Sequence, residues 1–354
     1  MKTIAFYISN HGFGHASRNI PIIEKLLNID CDLKVIIKTD TVQLEFIKQS
    51  LKNFNSRIDF YDERVDLGLI LKENSPAVDK EKLRCELIKF ISTWNQRIAK
   101  EESFLKENKV DFVVSDIVPW VFEAAANLNI KSLLISNFTW VEIYKEWFYD
   151  DIVEAFENCY KKANYVFEYP LADNINLVTQ KVGMSCREFN QEYAKCIKNS
   201  FKNPLIFVSL GRSVDLDGEI DVEDLPYDFV YTEGIRLKGK NAHKLQGNTI
   251  NTQDYIKASK IIITKAGWST VSEAICARKP MIVLNRPEIK EDKNTVSKLL
   301  KLKIAKSINF NQLNSNNLKT YIEETKKLED NYKFLDKRYK NSSKEIARKI
   351  LELL

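Results

Sequence analysis

Runs of consecutive apolar residues, many of them β-branched, alternate along this chain with segments in which apolar residues recur at helical spacing. A strand that is apolar along its whole length is typical of a parallel sheet, because helices cover both faces of such a sheet. In the first half of the chain this pattern predicts strands at 3–9, 33–38, 57–61, 112–115, 132–136 and 165–168. In the second half it predicts strands at 205–210, 229–232, 261–264, 281–284 and 304–307. The pattern therefore predicts an α/β protein with two parallel-sheet domains.

The two series of strands are separated by a segment without a clear strand pattern, 171–203, which we predict to be a linker with helical content. This places an N-terminal domain at 1–170 and a second domain at 204–341. The last residues, 342–354, open with a capping-box pair and carry apolar side chains on one face. They predict an amphipathic closing helix.

A glycine-rich turn follows the first predicted strand, at 11–15, with the sequence His-Gly-Phe-Gly-His. Glycine allows close approach of a ligand to the backbone and dihedral angles that other residues avoid. Pro21 has no N–H to donate and fits best in the opening turn of a helix, so we expect the next helix to begin near Arg18 to Ile20. On that expectation His15 lies in the loop before the helix.

A second turn, in the second half of the chain, joins another predicted strand to a helix. Gly267 permits the turn, and Thr270 and Glu273 have the spacing of a capping box, so this helix is predicted to begin near Ser269. Anions are attracted to such an entrance by the backbone N–H groups and the helix dipole, and Lys265 adds a full positive charge. The segment predicts a diphosphate site, although taken by itself it also fits an ordinary capped turn.

Composition narrows the class of protein. The formal net charge is +5, from 54 basic and 49 acidic residues, which is too small to indicate a nucleic-acid partner but is compatible with anionic ligands or weak attraction to a membrane surface. The six cysteines contain no C-x-x-C pair, so neither a zinc site nor a disulfide framework is indicated. No apolar run has membrane-spanning length and no signal-peptide pattern is present. We expect a cytoplasmic protein, either free or peripheral to the inner face of the membrane.

Four stretches of the chain together resemble the GT-B superfamily of nucleotide-sugar glycosyltransferases. They are 11–15, 209–213, 265–273 and 286–294. The chain is similar to the peptidoglycan N-acetylglucosaminyltransferase group of family 28, and to the glycosyltransferase-like N-terminal half of plant arabinokinases. The resemblance implies two Rossmann-like, doubly wound parallel-sheet domains that face each other across a cleft. It also implies that the first binds the acceptor, that the second binds the nucleotide sugar, and that the C-terminal helix crosses back to the first domain.

The resemblance also implies roles for individual residues. His15 stands at the mouth of the acceptor cleft and Glu273 at the ribose hydroxyls, while Glu291, Asp292 and Asn294 fall in the stretch that resembles the donor-sugar contacts. The donor-binding residues would be Gly211, Arg212, Ser213, Lys265, Gly267, Trp268, Ser269, Thr270, Glu273, Glu291, Asp292 and Asn294. The acceptor-cleft residues would be His11, Gly12, Phe13 and Gly14. Simpler interpretations are that Glu273 caps its helix, that the acidic pair is a solvated helix start, and that His15 bonds to loop backbone.

The activity that follows is an inverting transfer of a sugar from a UDP-sugar to an acceptor hydroxyl, with His15 as the base and with no metal and no cofactor beyond the nucleotide sugar. The acceptor would be a sugar, a lipid-linked molecule or another small molecule. Three alternatives stay open: an NAD-dependent dehydrogenase, a UDP-sugar epimerase on the same fold, and a non-catalytic nucleotide-sugar-binding module. The dehydrogenase is disfavoured because the third glycine of G-x-G-x-x-G is missing after Gly12 and Gly14. An aromatic stretch at 138–149 suits an acceptor pocket or a membrane-facing patch, but core packing is favoured.

Overall fold

The computed structural model describes residues 1–73, 77–148, 151–211, 218–286 and 288–354. The chain forms two compact units. Unit 1 comprises Met1–Lys72, Ala77–Ser185 and Asn341–Leu354, and unit 2 is formed mainly by Cys186–Lys340. The predicted linker, 171–203, contains the point at which the chain passes from unit 1 to unit 2.

Unit 1 is an α/β unit built on one parallel sheet. Its elements are β1 (Thr3–Ile8), α1 (Phe13–Ile29), β2 (Lys34–Thr39), α2 (Thr41–Ser50), β3 (Ile58–Asp62), α3 (Lys80–Ser92), α4 (Trp94–Glu107), β4 (Phe112–Asp116), α5 (Val121–Asn127), β5 (Lys131–Ser136), α6 (Trp140–Tyr144), α7 (Asp151–Tyr160), β6 (Tyr165–Glu168) and β7 (Gln180–Lys181). The seven strands lie in the order β3-β2-β1-β4-β5-β6-β7, and all the pairs are parallel.

Unit 2 repeats this architecture on a second sheet. Its elements are α8 (Gln191–Asn199), β8 (Leu205–Ser209), β9 (Ile220–Asp221), β10 (Asp228–Tyr231), β11 (Leu237–Lys238), β12 (Ala242–Lys244), α9 (Thr252–Ala258), β13 (Ile261–Lys265), α10 (Trp268–Ala277), β14 (Met281–Asn285), α11 (Lys290–Lys301), β15 (Ala305–Asn309) and α12 (Ser315–Lys326). Six strands form a parallel sheet in the order β12-β10-β8-β13-β14-β15, and β9 pairs with β11. The chain then returns to unit 1 in α13 (Ser343–Leu353), which packs against α1.

The strand orders locate a ligand-binding edge in each unit. In an open parallel sheet, ligands bind outside the carboxyl ends of the strands at the point where the strand order reverses. That point lies between β1 and β4 in unit 1, and between β8 and β13 in unit 2. The turn at 11–15 follows β1 and the turn at 265–267 follows β13. Both turns predicted from glycine placement therefore lie at the topological switch points.

Burial explains why the strands could be located from the sequence. Ile261, Ile262 and Ile263 are 0%, 0% and 1% exposed although consecutive side chains in a strand point to opposite faces. Both faces of β13 are therefore covered, and the continuous apolar run reflects that burial. The prediction of two parallel-sheet α/β domains is confirmed.

The start of α1 differs from the prediction. The helix begins at Phe13, and Pro21 lies in its interior instead of its opening turn, so His15 is helical. An interior proline removes one backbone hydrogen bond and costs about 3 kcal/mol. The buried stripe of α1 continues through the proline, from Ala16 and Ile20 to Ile23. Packing of that stripe offsets the local cost, and for this reason the proline was a misleading signal for the helix start.

Two other predictions concern apolar faces. The aromatic side chains Phe138, Trp140, Tyr144 and Phe148 are all buried, so core packing is confirmed for them; Tyr149 lies outside the described residues. In α13, Ile346 and Ile350 are buried on the face that the sequence predicted to be apolar. None of the helices in the described part of the chain combines the length and the apolar composition needed to cross a bilayer.

Candidate functional site

The carboxyl ends of β1 and β4 bring together a histidine and an aspartate. His15 lies in the first turn of α1 and is 6% exposed, while Asp116 is the last residue of β4 and is 1% exposed. The Nδ1 atom of His15 lies 2.9 Å from Oδ1 of Asp116. His15 is therefore held by a carboxylate, and the interpretation that it bonds to loop backbone is wrong.

Asp116 is held ionised by its neighbours. Arg18 donates from Nε to Oδ2 at 2.7 Å and from Nη2 to Oδ1, and the Asn19 amide donates to Oδ2 at 2.5 Å. Burial by itself would raise the pKa of Asp116, but the Arg18 guanidinium and His15 outweigh it and lower that pKa to about 2. The carboxylate is thus a fixed negative charge at neutral pH.

This charge decides the tautomer of His15. Nδ1 lies 2.9 Å from Oδ1 of Asp116 and 3.0 Å from Nη2 of Arg18. A lone pair on Nδ1 would be repelled by the ionised carboxylate, and Nη2 already donates to Asp116 and Ser136, so we assign the proton to Nδ1, which donates it to Asp116. The other ring nitrogen, Nε2, then has the lone pair. A histidine in this state can accept a proton from a bound hydroxyl, and the carboxylate stabilises the imidazolium that forms.

Sequence reasoning selected His15 but missed Asp116, which lies 101 positions away in the chain. The available signal was a carboxylate at the end of a buried strand, at 112–116. Once β4 is known to lie beside β1, the carboxyl ends of the two strands must meet at the same edge. The order of the strands, which the sequence did not reveal, was therefore the missing information.

The four predicted acceptor-cleft residues lie around the same strand end. Gly12 has a φ of +82° and open space where a Cβ would stand. The His11 ring lies 5.7 Å from the Trp140 ring, and its Nδ1 accepts a hydrogen bond from the backbone N–H of Leu69 at 3.3 Å. Phe13 and Gly14 are the first two residues of α1. The contact with Leu69 shows that the segment after β3 folds over this turn.

In unit 2, the ends of β8 and β13 bring Gly211, Lys265 and Gly267 together. Gly211 has a φ of +73°, and a Cβ built on it would lie 3.2 Å from Cε and 3.4 Å from Nζ of Lys265. A Cβ on Gly267 would lie 3.5 Å from the same Cε. The side chain of Lys265 therefore lies against two glycines. Because neither glycine has a side chain, the space around the lysine ammonium group stays open.

A second cation stands beside Lys265. Arg286, which follows β14, donates from Nε to Oδ2 of Asp292 at 2.6 Å and from Nη2 to Oδ1 at 2.9 Å. Burial lowers the pKa of Lys265 to about 8, and repulsion by Arg286 adds to this effect while Asp292 and Glu291 oppose it. Lys265 pairs with Leu284 of β14, two residues before Arg286, so both cations lie at the same edge of the sheet. Cations grouped in this way are typical of a site for a multiply charged anion. Arg286 was not among the predicted site residues.

The other predicted donor residues lie on two helix entrances. Trp268, Ser269 and Thr270 form the first turn of α10, whose N-cap residue is Gly267. Glu291, Asp292 and Asn294 lie at the start of α11, where both carboxylate oxygens of Asp292 accept hydrogen bonds from Arg286. Arg212 and Ser213 lie outside the described residues. Among the described residues, no group of three His, Cys, Asp or Glu side chains is placed to hold a metal ion.

Glu273 does not form the predicted capping box. The helix begins at Trp268, one residue before the predicted start, so Thr270 is already inside its first turn. Glu273 is 4% exposed, and its Oε1 accepts a hydrogen bond from Nε of Arg187 at 2.7 Å. Arg187 also donates to the hydroxyl of Thr252 at 3.0 Å. The pair ties the first residues of unit 2 to α10; a contact between Glu273 and ribose stays a prediction.

The Glu273→Ala variant is expected to lower the free energy of unfolding of unit 2 by about 3–5 kcal/mol, because it leaves the Arg187 guanidinium buried without its carboxylate. Replacing both partners by apolar residues, in R187M/E273L, should restore a large part of this loss. Urea unfolding of both variants measures the effect. Equal stability of the wild type and the Glu273→Ala variant would show that the ion pair has no structural role.

Comparisons with known proteins find similar sequences. Residues 227–354 match the model of the glycosyltransferase family 28 C-terminal domain. L-arabinokinase of Arabidopsis thaliana is 27% identical over 319 residues, covering 81% of this chain and 28% of the relative. The chain therefore spans less than a third of the length of that relative. The matched region of unit 2 contains Lys265, Arg286 and Asp292.

Solved structures resemble the whole chain in fold. The glycosyltransferase SnogD from Streptomyces nogalater superimposes with a TM-score of 0.68 at 14% identity, covering 100% of both chains. UGT2 of Phytolacca americana, complexed with UDP-2fluoro-glucose and pterostilbene, has a TM-score of 0.69 at 12% identity and covers 100% of this chain and 99% of its own. The calicheamicin glycosyltransferase CalG4 has a TM-score of 0.66 at 14% identity, covering 100% and 97%. These matches confirm the predicted GT-B fold and the resemblance to family 28.

Proposed function

We propose that this protein transfers a sugar from a UDP-sugar to an acceptor hydroxyl, with inversion at the anomeric carbon and without a metal ion. The observation that carries the proposal is the partly buried pair of cations at the carboxyl ends of two neighbouring strands of unit 2, Lys265 on β13 and Arg286 after β14. A nucleotide diphosphate has the charge that such a pair neutralises. The UDP-2fluoro-glucose bound to the structural relative from Phytolacca americana supports the choice of donor.

The leaving group determines what unit 2 must supply. When the bond between the anomeric carbon and the diphosphate breaks, negative charge builds up on the departing oxygen. Lys265, Arg286 and the backbone at the start of α10 can stabilise that charge, and fixed donors of this type commonly contribute about 10²–10³ in rate. In this proposal Glu273 contacts the ribose, and Glu291 and Asn294 contact the donor sugar. Asp292 acts through Arg286, whose two nitrogens it holds.

The acceptor determines what unit 1 must supply. As the acceptor oxygen bonds to the anomeric carbon, its proton passes to Nε2 of His15, and Asp116 stabilises the resulting imidazolium. A single displacement of this kind inverts the configuration. His11, Gly12, Phe13 and Gly14 surround the acceptor. Pterostilbene in the complex of the Phytolacca americana relative supports a small-molecule acceptor.

A thermal-shift panel tests the proposal. A ligand bound only by the folded chain raises the apparent Tm by mass action, so UDP and UDP-sugars should raise it while NADH should not. Incubation of the best donor with a panel of sugars, sugar phosphates and phenols, followed by product analysis, should then yield a glycoside of inverted configuration. Binding without transfer would favour a nucleotide-sugar-binding module, and a changed sugar formed without acceptor would favour an epimerase. No stabilisation by any UDP compound would refute the proposal.

Replacing Lys265 with methionine should weaken UDP binding by roughly 10–100-fold at pH 7, because a charge-assisted contact to the diphosphate is lost. The wild-type affinity should also fall as the pH rises above 8, by up to about tenfold per unit, because binding then requires the lysine to regain a proton. The K265M affinity should not show this dependence. Isothermal titration with UDP between pH 6.5 and 9.5 measures both effects.

Lys279 provides the matched control. Burial, and then the nearby Lys257 and Lys260, lower its pKa to about 8 as well, yet it precedes β14 at the opposite edge of the sheet. The K279M variant should keep the wild-type UDP affinity and its pH dependence. For both lysines the unfolded chain keeps its proton up to a higher pH than the folded chain, so their contribution to stability increases between about pH 8 and 10.5. If K265M and K279M behave alike, the role of Lys265 at the diphosphate is wrong.

A further inference from the structure

Unit 1 contains a cavity of about 550 Å³ at the carboxyl end of its edge strand β3. Part of its lining directly follows β3, and the remainder comes from the residue before α4 and from the first two turns of that helix. The lining residues are Glu63, Arg64, Thr93, Gln96, Arg97 and Lys100.

The lining has more positive than negative side chains. It carries three cationic side chains, Arg64, Arg97 and Lys100, and one carboxylate, Glu63, while Glu86 lies near enough to Arg64 to interact with its charge. Lys100 is 74% exposed. Oε1 of Glu63 lies 3.9 Å from both Nη1 of Arg97 and Nζ of Lys100, which is too long for a hydrogen bond. Its Oε2 instead accepts a hydrogen bond from the buried Lys38 at 3.2 Å. The carboxylate therefore leaves a surplus of positive charge in the cavity.

Arg97 is held in position by three contacts. Its Nε donates to the hydroxyl of Thr93 at 3.1 Å, and its Nη1 donates to the carbonyl of Arg64 at 3.2 Å. Its guanidinium also lies 5.3 Å from the centre of the Phe90 ring. The side chain is still 28% exposed, so a ligand can reach it. A fixed, planar guanidinium is well suited to the paired oxygens of a phosphate or carboxylate.

A short segment connects this cavity with the turn that carries His15. Nε of Arg64 donates to the carbonyl of Asp66 at 3.4 Å. The Asp66 carboxylate accepts hydrogen bonds from Ser9 at 2.6 Å and from the Trp140 indole at 3.0 Å. Two residues of extended chain span at most about 7 Å, so Arg64 lies close to the residues at the end of β1. Val65 and Asp66 are themselves 0% and 1% exposed, so the cavity and the turn before His15 lie on either side of one short buried segment.

We propose that this cavity binds a phosphate or carboxylate group of the acceptor, so that the preferred acceptors are anionic molecules. The inference rests on the proposed function for the identity of the acceptor, but the binding of the anion can be measured without it. The double variant R97Q/K100Q removes two charges from the lining. The E63Q variant removes the carboxylate that competes with the ligand, while Lys38 keeps its two contacts to Glu101 at 2.8 and 2.7 Å.

The first experiment measures binding of inorganic phosphate to the full chain by isothermal titration, in the K265M background so that the unit 2 site contributes less. We expect R97Q/K100Q to bind phosphate at least tenfold more weakly and E63Q to bind it severalfold more tightly. K106Q removes a charge from an exposed position on the same helix, α4, and should have no effect. Opposite effects of R97Q/K100Q and E63Q would not arise from a general loss of structure. Equal affinities of R97Q/K100Q and K106Q would overturn the proposal.

The second experiment measures turnover with paired acceptors, such as a sugar phosphate and its parent sugar, or a phenolic carboxylate and its methyl ester. R97Q/K100Q should raise KM at least tenfold for the anionic member of each pair, with kcat little changed and the neutral member unaffected. If phosphate binding is lost while KM for anionic acceptors is unchanged, the cavity does not serve the acceptor. A failure of every UDP compound to bind would refute the proposed function, whereas the phosphate titration would still decide whether the cavity binds an anion.

Discussion

The His15→Ala variant is expected to lower kcat by about 10²–10⁴-fold while the Kd for UDP stays unchanged. The loss follows from removing the nitrogen that accepts the proton of the attacking hydroxyl. Donor affinity should be retained because the proposed diphosphate contacts, Lys265 and Arg286, belong to unit 2, whereas His15 belongs to unit 1. Steady-state kinetics with the best donor and acceptor, together with titration of UDP, measure the two quantities separately.

His243 is the control for this prediction. It also pairs with a carboxylate, because its Nε2 lies 3.3 Å from Oδ1 of Asp228, but it stands on β12 with 41% of its side chain exposed. The H243A variant should retain wild-type kcat. If His15→Ala retains full turnover with unchanged UDP binding, the assignment of the base is wrong, and the dyad with Asp116 would then have a structural role only.

The sheets were predictable because their sequence signal is local. A strand covered on both faces must be apolar at every position, as β13 is at 261–263, and no knowledge of its neighbours is needed to recognise it. The turn after β1 was predictable for a similar reason, since Gly12 has a φ of +82° that favours glycine. Gly267, in the second turn, has an ordinary φ of −63°, so its backbone angles do not by themselves require glycine. Strand positions and turn positions together indicated the fold and the two candidate edges.

The side-chain partners could not be predicted in the same way. Asp116 contacts His15 across 101 positions, and Arg187 contacts Glu273 across 86. Each contact depends on which strands or segments become neighbours, and a periodic pattern carries no such information. The spacing of Thr270 and Glu273 suggested a capping box. Both a capping box and a distant ion pair need an acidic side chain at this position, so the sequence does not distinguish between them. The resemblance to a family identified positions, whereas the structure supplied the contacts that these positions make.

The Asp116→Asn variant is expected to reduce stability as well as turnover. Arg18 is 2% exposed and directs two nitrogens at this carboxylate, so a neutral amide leaves its charge buried without compensation. Breaking a buried pair in this way costs about 3–5 kcal/mol in the free energy of unfolding. The amide also fails to stabilise the imidazolium of His15, so kcat should fall by roughly 10²–10⁴-fold in the fraction that remains folded.

The pH dependence separates these two effects from a general loss of packing. The pKa of Asp116 is about 2 in the folded chain against an ordinary value of 3.8, so its ionised form stabilises the fold above pH 3.8 and this contribution is lost as the pH falls toward 2. The Asn variant should lack that part of the acid transition while keeping the contributions of other carboxylates. Urea unfolding at pH 7, 4 and 3 measures the difference. If the variant is poorly folded, the double variant R18M/D116N should recover stability because the uncompensated guanidinium is gone, whereas turnover should stay low. Recovery of turnover together with stability would show that Asp116 serves the fold alone.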